Sequence, residues 1–311
     1  MSALGKMFGA GSVDTFLGWP KAQVSQIDQA VVAVLGVPTA TPYASVGAYC
    51  ASGPAAIREG AAPYAANAAH HNFDLGRATL PKGLSAVDCG DLDVGLKGGA
   101  EARAAITGAI RSIRAQGAVP ILMGGDDSVP IPFLEAFADM SVAIVQVDAH
   151  IDWREDVDRE RFGLSSTMRR ASEMDHVGRI IQIGQRGLGS ARVNDVEAAL
   201  DYGVEFIPTK TLHRHGVDAY RDALPEDDVV LVFDVDAFDP AVMPAAIGRT
   251  AGGLSFDQAL QLVEDIASRA RIVGMTLAEF MPERDHDGQG ALLVAQFLTA
   301  CVGIIAGQAL E

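Results

Sequence analysis

Apolar residues in this chain fall in short runs, and between most of the runs they recur at helical spacing. Runs at residues 30–35, 84–87, 118–123, 142–147, 179–183, 204–207, 228–233 and 272–277 have the length and composition of strands buried on both faces. An alanine-rich stretch over residues 100–116, closed by Gly117, is the clearest helix between them. Gly53 and Pro54 mark another helix start, where the missing N–H of proline costs nothing. This alternation predicts a mostly parallel sheet with helices on both sides, a three-layer α/β/α fold of about eight strands. The long apolar run at residues 291–307 contains Gln296 and Thr299 and lacks flanking basic residues, so it reads as a buried closing helix rather than a membrane span.

At 311 residues, 49% hydrophobic and 21% charged, the chain can bury a large core. No low-complexity linker divides it, so one domain over residues 1–311 is expected, with about residues 1–25 as an N-terminal extension. A net charge of −16 argues against nucleic acid or an anionic membrane as partner and suits a small cationic substrate. Cys50, Cys89 and Cys301 are odd in number and widely spaced, as free thiols in a reducing compartment are. With no basic segment leading into an apolar core at the N-terminus, a cytoplasmic location is expected.

Candidate chemistry appears when the acidic residues are placed on these strands. Asp126 and Asp127 follow the run ending at Met123, and Asp148, His150 and Asp152 follow the next. Asp234 and Asp236 end the run at 228–233, and Glu279 ends the last. All four sets lie at carboxyl ends of strands, the edge of an open α/β sheet where ligands bind. Side chains at alternate positions of an extended backbone point to one face, so Asp148, His150 and Asp152 can converge, as can Asp234 and Asp236. Without cations such a cluster would repel itself. Six candidate ligands, Asp127, Asp148, His150, Asp152, Asp234 and Asp236, are too many for one tetrahedral zinc and suit two oxygen-preferring ions. Two such ions can generate a hydroxide nucleophile at neutral pH, which points to metal-assisted hydrolysis. His213 and His215 form an H-x-H pair without acidic or cysteine partners nearby, and a zinc site there is set aside.

The stretches from Gly124 to Ser128, from Asp148 to Asp152 and from Phe233 to Pro240 resemble the three signature motifs of the ureohydrolases, the arginases, agmatinases and guanidinobutyrases. Further matches at Gly36, Gly53, Asp88, Ile181, Gly252 and Glu279 spread the resemblance over nearly the whole chain. It implies an arginase-like fold, two manganese ions per chain, or nickel as in some relatives, and a homotrimer or homohexamer. It also implies attack of a metal-bridging hydroxide on a guanidinium carbon, releasing urea and an amine. By position, Asp148 and Asp234 would bridge the ions, Asp127 and Asp152 complete one site, and His150 and Asp236 the other. Asp236, His150 and Glu279 would form the catalytic group, with Asp236 taking the nucleophile's proton and Glu279 binding the guanidinium through paired hydrogen bonds. Asp239 would brace its loop.

Two positions depart from that pattern. Asp127 stands where the family usually has a histidine, and Phe162 stands where it commonly has a second, proton-shuttling one. Phe162 and Trp153 are expected to line a substrate pocket, while Phe238, Met243 and Met281 suit the core as well as the pocket mouth. The expected substrate is agmatine-like or a guanidino acid. The alternatives are a substituted guanidine or biguanide, or a poorly active structural subunit in a hetero-oligomer with a paralogous chain.

Overall fold

The structure, a computed structural model, describes residues 14–310 apart from 42, 44–46, 97 and 190. Eight strands form one parallel sheet: β1 (Val32–Gly36), β4 (Ala86–Asp91), β5 (Val119–Met123), β6 (Val142–Val147), β7 (Val177–Ile183), β8 (Glu205–Ile207), β9 (Val229–Asp234) and β10 (Ile272–Ala278). Each falls on one of the expected runs, and their order across the sheet is β4-β1-β5-β10-β9-β6-β7-β8. Two-residue strands β2 (His71–Asn72) and β3 (Arg77–Ala78) pair as a separate antiparallel hairpin, too short to leave a periodic signal.

The apolar runs are continuous because both faces of the sheet are covered. Successive residues of one strand enter opposite core clusters: Val145, Leu231 and Phe233 on one side, Ile144, Val230 and Val232 on the other. The first cluster is closed by α1 (Gly53–Ala61), α7 (Phe256–Arg269) and α8 (Gln289–Gly307). The second holds Ile106, Ile110 and Ile113 of α2 (Ala100–Arg114) and Phe133 of α3 (Pro130–Glu135). This is the three-layer arrangement. The short helices α4 (Thr167–Ala171), α5 (Val193–Tyr202) and α6 (Thr209–His215) lie between β6, β7, β8 and β9 in the chain.

Helix α8 is apolar over most of its surface because most of it is core. Phe297 packs its ring 4.6 Å from that of Phe233 and 5.2 Å from that of Phe238. Although α8 is long and apolar enough to cross a membrane, 72% of its most apolar window is buried in the protein. Helix α1 reaches it closely at Gly60, where a Cβ would lie 2.4 Å from the carbonyl oxygen of Ala291.

Within the stretch expected as an N-terminal extension, residues 1–25, the described part from Phe16 onward packs on the domain. Phe16, Leu17 and Trp19 are buried in the first cluster, and the Phe16 amide donates to Asp88 at 2.7 Å. Burying three large apolar side chains ties the segment down despite its lack of periodicity.

Candidate metal centre

The four strands that carry the acidic motifs, β5, β10, β9 and β6, are neighbours in the middle of the sheet. Their ends are level, since Met123 pairs with Leu277, Leu277 with Phe233 and Phe233 with Val147. The next residues therefore emerge side by side. The structure draws the predicted ligands into two groups, Asp127, Asp148 and Asp152, and Asp148, His150 and Asp236, with the donor atoms of each within 4.8 Å of one another. Asp148 belongs to both. Asp234 enters neither group but lines the same cavity, and its Oδ1 accepts the Asp236 amide at 2.7 Å.

Backbone conformation aims two of these side chains. Asp152 has φ of +45° and Glu279 of +69°, a left-handed region that costs a non-glycine residue about 1–2 kcal/mol. Held that way, Glu279 is 3% exposed. Its Oε1 accepts the Asp127 amide at 2.8 Å, and the Tyr49 hydroxyl lies 2.8 Å and 2.9 Å from its two oxygens.

Sequence reasoning missed several supports. Gln146, fully buried on β6, donates through its Nε2 to Asp148 at 2.9 Å and Asp152 at 2.8 Å. Its own oxygen accepts from Gln182, its register partner on β7, which also donates to the Ile151 carbonyl at 2.9 Å. A glutamine inside an otherwise apolar run was the available signal. Gly248 is the second support, because a Cβ there would lie 2.5 Å from His150 Cε1 and 2.6 Å from Asp236 Oδ2. Tyr49 is the third.

Charge in the site is out of balance. Burial pushes the carboxyls of Asp127, Asp152 and Asp234 well above the usual aspartate range, and neighbouring carboxylates, Asp148 among them in each case, add to the shift. Asp236 is raised by burial and by Asp148. Asp148 goes the other way: burial pushes it up, but the hydrogen bond and charge of His150 outweigh that. His150, its Nδ1 3.0 Å from Asp236 and 3.3 Å from Asp148, is pushed up to about 12, because burial is overcome by those two carboxylates. Burial and the charge of Asp126 raise Glu279 to about 8. Both carboxylate oxygens of Asp127 are buried and have no hydrogen-bond partner among the described residues. An orphaned carboxylate among other carboxylates is what a bound cation would satisfy, so the residues fit a metal pair.

A cavity of about 230 Å³ opens over this cluster, and Trp153, Arg154, Leu164, Ser165, Ile247 and Gly248 extend its walls beyond the acidic residues. Trp153, one of these wall residues, is 2% exposed. Phe162 is not among the described lining residues, and its ring packs under the Arg103 guanidinium, 3.9 Å from centroid to Cζ. The loop turns after it and presents Leu164 and Ser165 to the cavity instead. Asp126 points away from the group, accepting from the Thr41 amide and from Ser128. Asp239 braces its loop as expected, accepting the amides of Ala241, Gly252 and Gly253 at 2.7–3.0 Å. His213 is outside both groups, with Nε2 3.1 Å from the Gly253 carbonyl oxygen. All three cysteines are free; Cys50 and Cys301 are buried and Cys89 is half-buried.

Comparison with known proteins agrees with this geometry. The Arginase family matches residues 30–303. A mitochondrial agmatinase of Gallus gallus is 30% identical over 76% of this chain and 71% of its own length. A guanidinobutyrase of Pseudomonas aeruginosa is 27% identical over 76% of each. Among solved structures, proclavaminate amidino hydrolase from Streptomyces clavuligerus superposes with a TM-score of 0.83, at 23% identity over 96% of this chain and 98% of that one, which shows the fold. The chain belongs to the arginase family, and with it to the hydrolases that cleave C–N bonds of guanidino compounds and other linear amidines.

Proposed function

We propose that this protein hydrolyses an agmatine-like guanidine or a guanidino acid to urea and an amine at a pair of divalent ions held by Asp127, Asp148, His150, Asp152, Asp234 and Asp236. The observation that carries the reading is the pair of ligand groups sharing Asp148, with both oxygens of Asp127 orphaned beside it. Asp127, Asp148 and Asp152 offer only oxygen, which suits manganese; His150 in the other group makes nickel the alternative. When bound, two such ions supply the positive charge that acidifies a water at neutral pH.

The remaining steps fall to the chain's own side chains. Glu279, at the cavity wall, anchors the cationic guanidinium and turns its carbon toward the aspartates. Asp236, also lining the cavity, takes the proton of the attacking water and hands it to the departing amine as the C–N bond breaks. That relay serves in the absence of a histidine at Phe162. Trp153 and Leu164 exclude water on one side, and the size of the cavity admits a short substrate chain.

The test is metal content together with urea release. Purified protein loaded with manganese or nickel would be assayed on agmatine, guanidinobutyrate, guanidinopropionate, arginine, guanidine and alkylated biguanides. Two ions per chain and urea from one substrate class is the expected result. Fewer than one ion per chain and no urea from any substrate would overturn the reading.

A further inference from the structure

The Tyr49 hydroxyl stands 2.8 Å from one oxygen of Glu279 and 2.9 Å from the other. A donor equidistant from both oxygens sits at the open end of the carboxylate, between the two lone pairs that face the same way. That is the place where the two parallel N–H groups of a guanidinium edge would dock. The Asp127 amide already occupies a further position on Oε1 at 2.8 Å. Among the described residues, what remains to a substrate is a single acceptor position on Oε2.

The backbone that carries Tyr49 is held in place. It is 7% exposed and lies in the turn that leads into α1, closed by the Ala51 amide on the Ala48 carbonyl at 3.2 Å and the Gly53 amide on the Cys50 carbonyl at 3.0 Å. The following residue, Cys50, is fully buried.

We infer that Tyr49 is a specificity-determining residue that holds the fork of Glu279, so that the substrate cation meets this carboxylate through one N–H instead of a paired edge. The inference rests on the reading of Glu279 as the guanidinium anchor. It deepens that reading by naming what the site discards, the advantage of an unsubstituted N–H edge. Guanidines whose nitrogens carry alkyl groups lose little here, because the second hydrogen bond they cannot make has already been given to Tyr49. The class of substrate favoured relative to an open fork is therefore the alkylated guanidines.

The experiment compares binding of guanidinium with that of tetramethylguanidinium, which has no paired N–H edge, to manganese-loaded wild type and Tyr49→Phe by calorimetry. Phenylalanine keeps the buried ring and vacates the fork. Guanidinium should bind about tenfold or more tightly to Tyr49→Phe, the effect of one added charge-assisted hydrogen bond, with tetramethylguanidinium within about twofold of wild type. An equal change for both cations, or weaker guanidinium binding, would mean that Tyr49 only positions Glu279 and would overturn the inference. Binding is read without turnover, so a wild type that releases no urea refutes the proposed hydrolysis and still leaves this comparison decisive. Melting temperatures of the two proteins report whether the variant keeps its fold.

Discussion

Raising the pH should weaken the metal-free protein, and the structure sets both the sign and the size of the effect. In the folded protein Glu279 holds its proton up to about 8, against 4.5 for an ordinary glutamate. His150 holds its proton up to about 12 instead of 6.5. Between these limits the folded state binds more protons than the unfolded state, so stability is greatest at the acid end of the window and falls as pH rises. Asp127, Asp152 and Asp234 are shifted in the same sense. Asp148, shifted down, acts only below the ordinary aspartate value of 3.8 and does not enter. One proton is worth roughly 1.4 kcal/mol per pH unit, so Glu279 alone contributes about 3 kcal/mol between about pH 5.5 and pH 8. For a chain of this size that is a fall in melting temperature on the order of 5–10 °C. The assay is scanning calorimetry on chelated, dialysed protein across that range, repeated with manganese. Bound metal requires the ligands to be deprotonated, so the loaded protein should gain stability with pH where the metal-free protein loses it. A metal-free melting temperature that stays flat or rises with pH would refute the charge imbalance read from the cluster.

Three substitutions probe the same site. Asp234→Asn should lower metal affinity by at least about 100-fold and remove urea release with it, as measured by metal analysis after dialysis; full metal retention would sink its role as a ligand to both ions. Gly248→Ala places a methyl 2.5 Å from His150 Cε1 and should cut turnover by about tenfold or more while the melting temperature changes little, since the cavity wall rather than the core is disturbed. Gln146→Leu removes the donor shared by Asp148 and Asp152 and should weaken metal binding by about 10–100-fold in a titration; unchanged affinity would mean the buried glutamine pair serves the fold alone.

The strands were readable because a sheet covered on both faces demands unbroken apolar runs, and each of the eight fell where such a run lies. The acidic groups were readable for a related reason: they follow those runs directly, so the strand ends locate them. Tyr49 could not be found that way, since it lies 230 positions from Glu279 and belongs to a turn with no pattern of its own. Phe162 is expected in the pocket because it stands where the family commonly has a histidine, whereas the loop's path puts Leu164 and Ser165 at the cavity. The segment from Phe16 to Trp19 is buried by its individual side chains and not by periodicity, which is why it read as an extension.

The left-handed backbone at Asp152 and Glu279 bears on any attempt to make this protein more heat-resistant. Glycine would relieve roughly 1–2 kcal/mol of strain at each place, against about 0.5–1 kcal/mol for its greater freedom in the unfolded chain. It would also remove a buried carboxyl from a crowded group. A library sorted for survival on heating alone would therefore drift toward glycine at the two places where the chemistry depends on a side chain. The chemistry proposed for these residues and laboratory selection for robustness pull in opposite directions, and only a screen that scores turnover can hold them together.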